Sequence, residues 1–141
     1  MTTKHSSIEF VGGDNWEIAA TLLDETGKAY DLTLAHTIKW CLMDGQGNRV
    51  LDSSVAGQVT ITTTDAVNGK VSVLVAPTVS TTVKGGTYTD ALRLTIGGET
   101  GTLLMGPVNV IGDPWAASVF AASASEHHNY PRIRAVPKRV A

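Results

Sequence analysis

The chain has 141 residues, of which 43% are hydrophobic and 17% charged, with a net charge of −2. That balance excludes wholesale disorder, which needs low hydropathy and high charge. No run approaches the roughly 20 apolar residues of a membrane-spanning helix, and a single cysteine excludes an internal disulfide or a cysteine-ligated zinc.

The opening Met1-Thr2-Thr3-Lys4-His5 has no apolar leader core, so no secretory targeting and no membrane partner are expected. Period-two alternation then dominates. Ile18, Ala20 and Leu22 alternate with Glu17, Ala19 and Thr21. Ile38, Trp40 and Leu42 alternate with Lys39, Cys41 and Met43. The same pattern returns at Val59 and Ile61, at Val71, Val73 and Val75, and at Leu92, Leu94 and Ile96. Alternation of this kind marks strands with one buried face, and the wealth of valine and threonine suits a pleated backbone. Turn sequences separate the runs: Asp24-Glu25-Thr26-Gly27, Asp44-Gly45-Gln46-Gly47-Asn48, Asp65-Ala66-Val67-Asn68-Gly69 and Gly97-Gly98. Pro77 to Val83 reads as a short helical crossover, and Pro107 to Ile111 as the closing strand. The expected fold is all-β, a sandwich or small barrel of about seven or eight strands.

A boundary falls at Gly112-Asp113-Pro114. Residues 1–112 are expected to form the sandwich and residues 113–141 an extended C-terminal assembly arm. Four of the 11 basic residues, Arg132, Arg134, Lys138 and Arg139, follow the last acid, Glu126, so residues 1–126 carry −6 and the tail +4. An acidic body repels DNA, and four cations are few for phosphate binding, so the arm is expected to dock on protein rather than on nucleic acid. Its apolar members, Trp115, Val119, Phe120, Tyr130 and Ile133, have no core of their own to enter and are read as partner-binding. Trp115 anchors either back onto the domain or into a partner.

Residues suited to chemistry do not converge. The glycine pairs lack phosphate-loop spacing, and there is no nucleophile elbow. Asp24-Glu25 reads as a hairpin turn rather than an acid/base pair. His127-His128 beside Glu126 has some ligand character, but neighbours in extended backbone face apart, so it reads as polar linker. His5 and His36 stand alone and are expected at the surface. Cys41 is expected reduced and half-buried in a strand, and Trp16 and Trp40 are expected in the core. No catalytic residue, metal site, cofactor or small-molecule substrate is predicted.

One set of residues resembles a known family. Gly13-Asp14, Leu22-Leu23-Asp24, Gly27, Asp31-Leu32-Thr33, Gly69-Lys70-Val71, Gly85-Gly86, Tyr88 and Leu92-Arg93-Leu94 are similar to the "GD", "LLDxxGxxxDLT", "GxV" and "GxYxxxLxxT" segments of an immunoglobulin-like domain. That domain stands at the N-terminus of phage baseplate upper proteins and of related tail, fibre-base and neck proteins. The likeness spans about residues 10–111. It implies an immunoglobulin-like β-sandwich with no catalytic motif. It also implies a structural role in the virion, after synthesis in the host cytoplasm, with other virion proteins and copies of itself as partners. The chain does not continue into the long fibre-forming region of baseplate upper proteins, which favours an adaptor, neck or capsid-decoration role. A carbohydrate-binding or adhesin-type sandwich is the rival from another class, with Trp16, Tyr30 and Tyr130 as its candidate aromatics. Two local features stand beside the likeness. Asp31-Leu32-Thr33 suits an Asx-type turn, and Tyr88 is placed to be the hydroxyl-bearing corner residue of such sandwiches.

Overall fold

A computed structural model describes residues 2–116. Nine strands and one helical turn follow in order: β1 (Thr3–Lys4), β2 (Ile8–Val11), β3 (Trp16–Thr21), β4 (His36–Met43), β5 (Arg49–Asp52), β6 (Thr60–Asp65), β7 (Lys70–Val75), α1 (Pro77–Ser80), β8 (Gly86–Ile96) and β9 (Glu99–Ile111). One sheet runs β1-β9-β8-β4-β5, with β2 also paired to β9, and the other runs β3-β7-β6. Because β1 and β2 both lie parallel to β9, they act as one N-terminal edge strand interrupted at His5–Ser7.

The predicted alternation is the observed register. Ile18, Ala20, Val71, Val73 and Val75 from one sheet meet Trp40, Leu42, Leu92, Leu94 and Val108 from the other, all buried. Phe10 and Trp16 stack across the gap, ring centroids 4.8 Å apart and planes 7° off parallel. Trp16 and Trp40 are both core residues, 1% exposed. Burial of each such side chain contributes about 1.5–3 kcal/mol, so the interior alone accounts for why these sheets face each other.

The turns form where the sequence places them. Asp24 Oδ1 accepts from the backbone N–H groups of Thr26 (2.8 Å) and Lys28 (3.0 Å). Asp44 Oδ1 accepts in the same way from Gln46 (2.8 Å) and Asn48 (2.9 Å). Asp31 accepts from the backbone and hydroxyl of Thr33, the Asx turn expected there. Gly97 and Gly98, with φ of +59° and +81°, make the two-residue β8–β9 hairpin, a turn that needs positive φ at both central positions. The crossover before β8 is the single turn α1, as expected.

The sequence predicted no strand before Trp16 and none at Arg49–Asp52, where the structure has β1, β2 and β5. Two- and four-residue segments are too short for alternation to register, and the pairing of β1 and β2 is distant. Thr3 partners Leu104 and Ile8 partners Val108.

This order, an N-terminal edge strand with β9-β8-β4-β5 in one layer and β3-β7-β6 in the other, is an immunoglobulin-like β-sandwich. It has two poles. Turns Asp24–Lys28 and Gly97–Gly98 lie at one, and α1 with residues 111–116 at the other, because β9 runs from Glu99 at the first pole to Ile111 at the second.

Candidate functional site

A polar group in the middle of the core is the first departure from expectation. His5 is buried rather than at the surface, at 9% exposure, and its partner Asp90 is 1% exposed. His5 falls at the break between β1 and β2, where the chain bends and its ring turns inward over β9. Its backbone N–H donates to Met105 O at 2.9 Å. Its ring lies directly over Gly106, where a Cβ would come within 2.5 Å of the imidazole. Only glycine leaves that space.

Asp90 occupies an inward position of β8, in the run Tyr88, Asp90, Leu92, Leu94. Its Oδ1 sits 2.6 Å from His5 Nε2, and its Oδ2 accepts from Trp40 Nε1–H at 3.0 Å. The Gly106 backbone N–H also bonds to it. Burial pushes the Asp90 carboxyl above the usual carboxylate range, and the bonds from His5, Trp40 and Gly106 act against that rise.

The proton count follows from geometry. His5 Nδ1 lies 2.7 Å from Ser6 O, a carbonyl that can only accept. Nδ1 therefore carries a proton and Nε2 faces a carboxylate oxygen, so a second proton lies between Nε2 and Oδ1. The pair shares that proton, as imidazolium with carboxylate or as imidazole with carboxylic acid.

The location explains the residue types. Tyr88 Oη donates to Lys84 O at 2.7 Å, four residues upstream, the corner arrangement expected for it. In disulfide-bearing immunoglobulin domains the residue two after the corner tyrosine is the second cysteine, and a tryptophan of the third main strand packs on the bridge. Asp90 stands at that place and Trp40 at the tryptophan's. A hydrogen-bonded carboxyl group thus stands where one cysteine of that disulfide would be, and its bonds run within one sheet rather than between the two. The set is sealed from solvent and tethers β1, β4, β8 and β9 to one another.

Other candidates are accounted for locally. Cys41 is a half-buried free thiol, and burial together with the Asp52 carboxylate pushes it up, away from the nucleophilic thiolate. Asp24 and Glu25 belong to a turn, and bonds from the Thr26 hydroxyl and the Lys28 backbone hold Asp24 below its ordinary value. His36 is half-buried, its ring against Leu34 O. Among the described residues no group of three or more His, Cys, Asp or Glu is placed to hold a metal ion, and no helix is long and apolar enough to cross a membrane.

Two surface features remain, one at each pole. At the first, the Asp24–Lys28 turn and the β8–β9 hairpin enclose an open cleft of about 320 Å³. Leu94, Ile96 and Leu103 form its apolar side with Tyr30 and the half-exposed Leu23, and Asp24, Glu25 and Glu99 stand at its rim. At the second pole Trp115 is 88% exposed. It is not loosely carried. Its backbone N–H donates to Asp113 Oδ1 at 2.7 Å, and Asp113 Oδ2 accepts from the Thr81 hydroxyl next to α1. Of the predicted partner-binding residues, Trp115 is therefore placed away from its own domain. Val119, Phe120, Tyr130, Arg132, Ile133, Arg134, Lys138 and Arg139 lie outside the described residues, as does His127-His128.

No protein-family model matches the chain, and no curated protein does. Solved structures similar to it include CopC from Methylosinus trichosporium, at 11% identity and a TM-score of 0.45, covering 80% of this chain and 89% of that one. The N-terminal domain of phage TP901-1 ORF48 is similar at 14% identity and a TM-score of 0.44, with 80% and 99% covered. The second immunoglobulin domain of the mouse polymeric immunoglobulin receptor is similar at 13% and 0.40, with 78% and 96% covered. The chain is an immunoglobulin-like β-sandwich module.

Proposed function

We propose that this module is a non-enzymatic structural subunit of a phage virion, an adaptor of the tail, baseplate or neck that docks on neighbouring virion proteins and on copies of itself. The observation that carries the reading is Trp115. A large aromatic 88% exposed on a turn pinned to the domain is costly in water and suited to an interface, where tryptophan is enriched among the residues that dominate binding. It stands where the sandwich ends and the segment with Phe120, Ile133 and four unopposed basic residues begins. The histidine–carboxyl pair His5–Asp90, which could have signalled catalysis, is instead sealed in the core. The family resemblance of residues 10–111 supplies the setting. Trp16, one of the aromatics a carbohydrate-binding module needs at its surface, is in the core.

The test is truncation after Gly112, assayed by thermal melting and by copy number on purified particles. The reading expects a folded sandwich that no longer incorporates. Full incorporation of the truncated chain would overturn the anchoring role.

A further inference from the structure

The two surface features are complementary, and they lie at opposite poles. Trp115 is held at the pole where β9 ends, while the cleft lies where β9 begins. A 13-residue strand at roughly 3.3 Å per residue separates them by about 30–40 Å. Because Asp113 and Thr81 pin the turn that carries Trp115, this indole cannot reach the cleft of its own domain. It can reach that of another copy.

We propose that the cleft is the receptor for a second copy of this chain: Trp115 of one copy enters between the Asp24–Lys28 turn and the β8–β9 hairpin of the next, and the basic segment 132–139 follows across the acidic rim. This deepens the virion-subunit reading by naming a partner and the surface that receives it.

The chemistry matches on both counts. An indole is an apolar body with one N–H donor. The cleft offers it an apolar wall of Leu94 and Leu103 and a half-exposed Leu23, with the carboxylates of Glu25 and Glu99 at the edge. The Asp24 carboxylate is already engaged by its own turn, so Glu25 and Glu99 are the acids left to face a cation. The segment beyond Trp115 carries +4 and no acid after Glu126. Lys28, at the end of the same turn, opposes the cations in part, so the charge contribution is that of a few exposed groups and falls with salt.

The contact is heterologous, since donor and acceptor are different surfaces. Such a contact repeats head to tail and either closes into a ring or grows as a filament.

Sedimentation of the full-length chain tests this with charge reversals. One variant carries Glu25→Lys and Glu99→Lys. A second carries Arg132, Arg134, Lys138 and Arg139 changed to Glu. A third is Trp115→Ser. The altered cleft and Trp115 positions are exposed, and thermal melting checks that each variant remains folded. The wild-type chain is expected to associate with rising concentration, and about tenfold more weakly in high salt. Each variant alone is expected to stay monomeric. Mixing the first two is expected to restore association, because each supplies what the other lacks. A monomeric wild type, association untouched by Trp115→Ser or by the cleft reversal, or a mixture that stays monomeric would each overturn the proposal. Incorporation of the same variants into particles is scored separately. Unchanged incorporation alongside failed self-association would remove this interface and leave the virion role standing.

Discussion

Replacing Asp90 separates a sealed polar tether from an incidental contact. Asp90→Ala removes the acceptor for Trp40 Nε1–H at 3.0 Å and the oxygen 2.6 Å from His5 Nε2. Each buried group left without a partner costs about 1–3 kcal/mol. Breaking a buried pair by removing one partner costs about 3–5 kcal/mol in all. Asp90→Asn is different. Its amide oxygen can accept from Trp40 while its NH2 donates to a neutral His5 whose Nδ1–H already serves Ser6 O. The expected loss is below about 1.5 kcal/mol. The two variants also differ in pH response. A carboxyl whose folded pKa is raised contributes stability that is fully present below its unfolded value, near 3.8, and is lost as pH rises through the folded value. The stability difference between wild type and Asp90→Asn should therefore shrink with rising pH, a comparison in which the turn aspartates cancel. Urea unfolding followed by tryptophan fluorescence across the acid-to-neutral range measures both. An Asp90→Ala loss below about 1 kcal/mol, or a difference that grows with pH, would refute the tether.

Gly106→Ala should cost about 1–3 kcal/mol by overpacking and should expose the β1 edge to hydrogen exchange, since the new methyl would lie 2.5 Å from the His5 ring; unaltered exchange at Thr3–His5 would count against it. Tyr88→Phe should cost about 0.5–1.5 kcal/mol in chemical denaturation, the worth of the bond to Lys84 O. Trp40→Ala should cost about 3–5 kcal/mol through the cavity and the lost indole bond, and a loss below about 1 kcal/mol would place Trp40 at the surface. The lowered carboxyls of Asp24, Asp31, Asp44 and Asp52, each held down by bonds within its own turn, give stability present above pH about 3.8 and lost as pH falls through their folded values; changing all four to Asn should flatten that acid limb of the stability curve. Native particles should show no covalent dimer through Cys41 on non-reducing gels, because the thiol is half-buried and raised.

What the sequence shows and what it hides divide along physical lines. Strands β3, β4, β7 and β8 are legible because six or more residues alternate against a dry face, and a one-residue slip would turn that whole set outward. The Asp44 and Asp31 turns are legible because their bonds span two to four residues. Strands β1 and β2 are not, since their pairing partners lie about a hundred residues away and the segments are short. The buried pair is hidden for the same reason. His5 and Asp90 are 85 residues apart, and a lone histidine near a terminus looks solvated until the fold carries it over Gly106. A trace was present in Asp90 itself, an acid at an inward position between Tyr88 and Leu92. The cleft was equally invisible, because it is assembled from two turns on different sheets, whereas Trp115 was picked out by its position just after the last strand.

The proposed virion role stands or falls on where the protein is found. Quantitative mass spectrometry of purified particles, released from the host that carries this coding sequence, measures it directly. A virion subunit is expected at a stoichiometric number of copies per particle, retained through density-gradient purification. A protein confined to the host cytoplasm and missing from those particles would contradict that role.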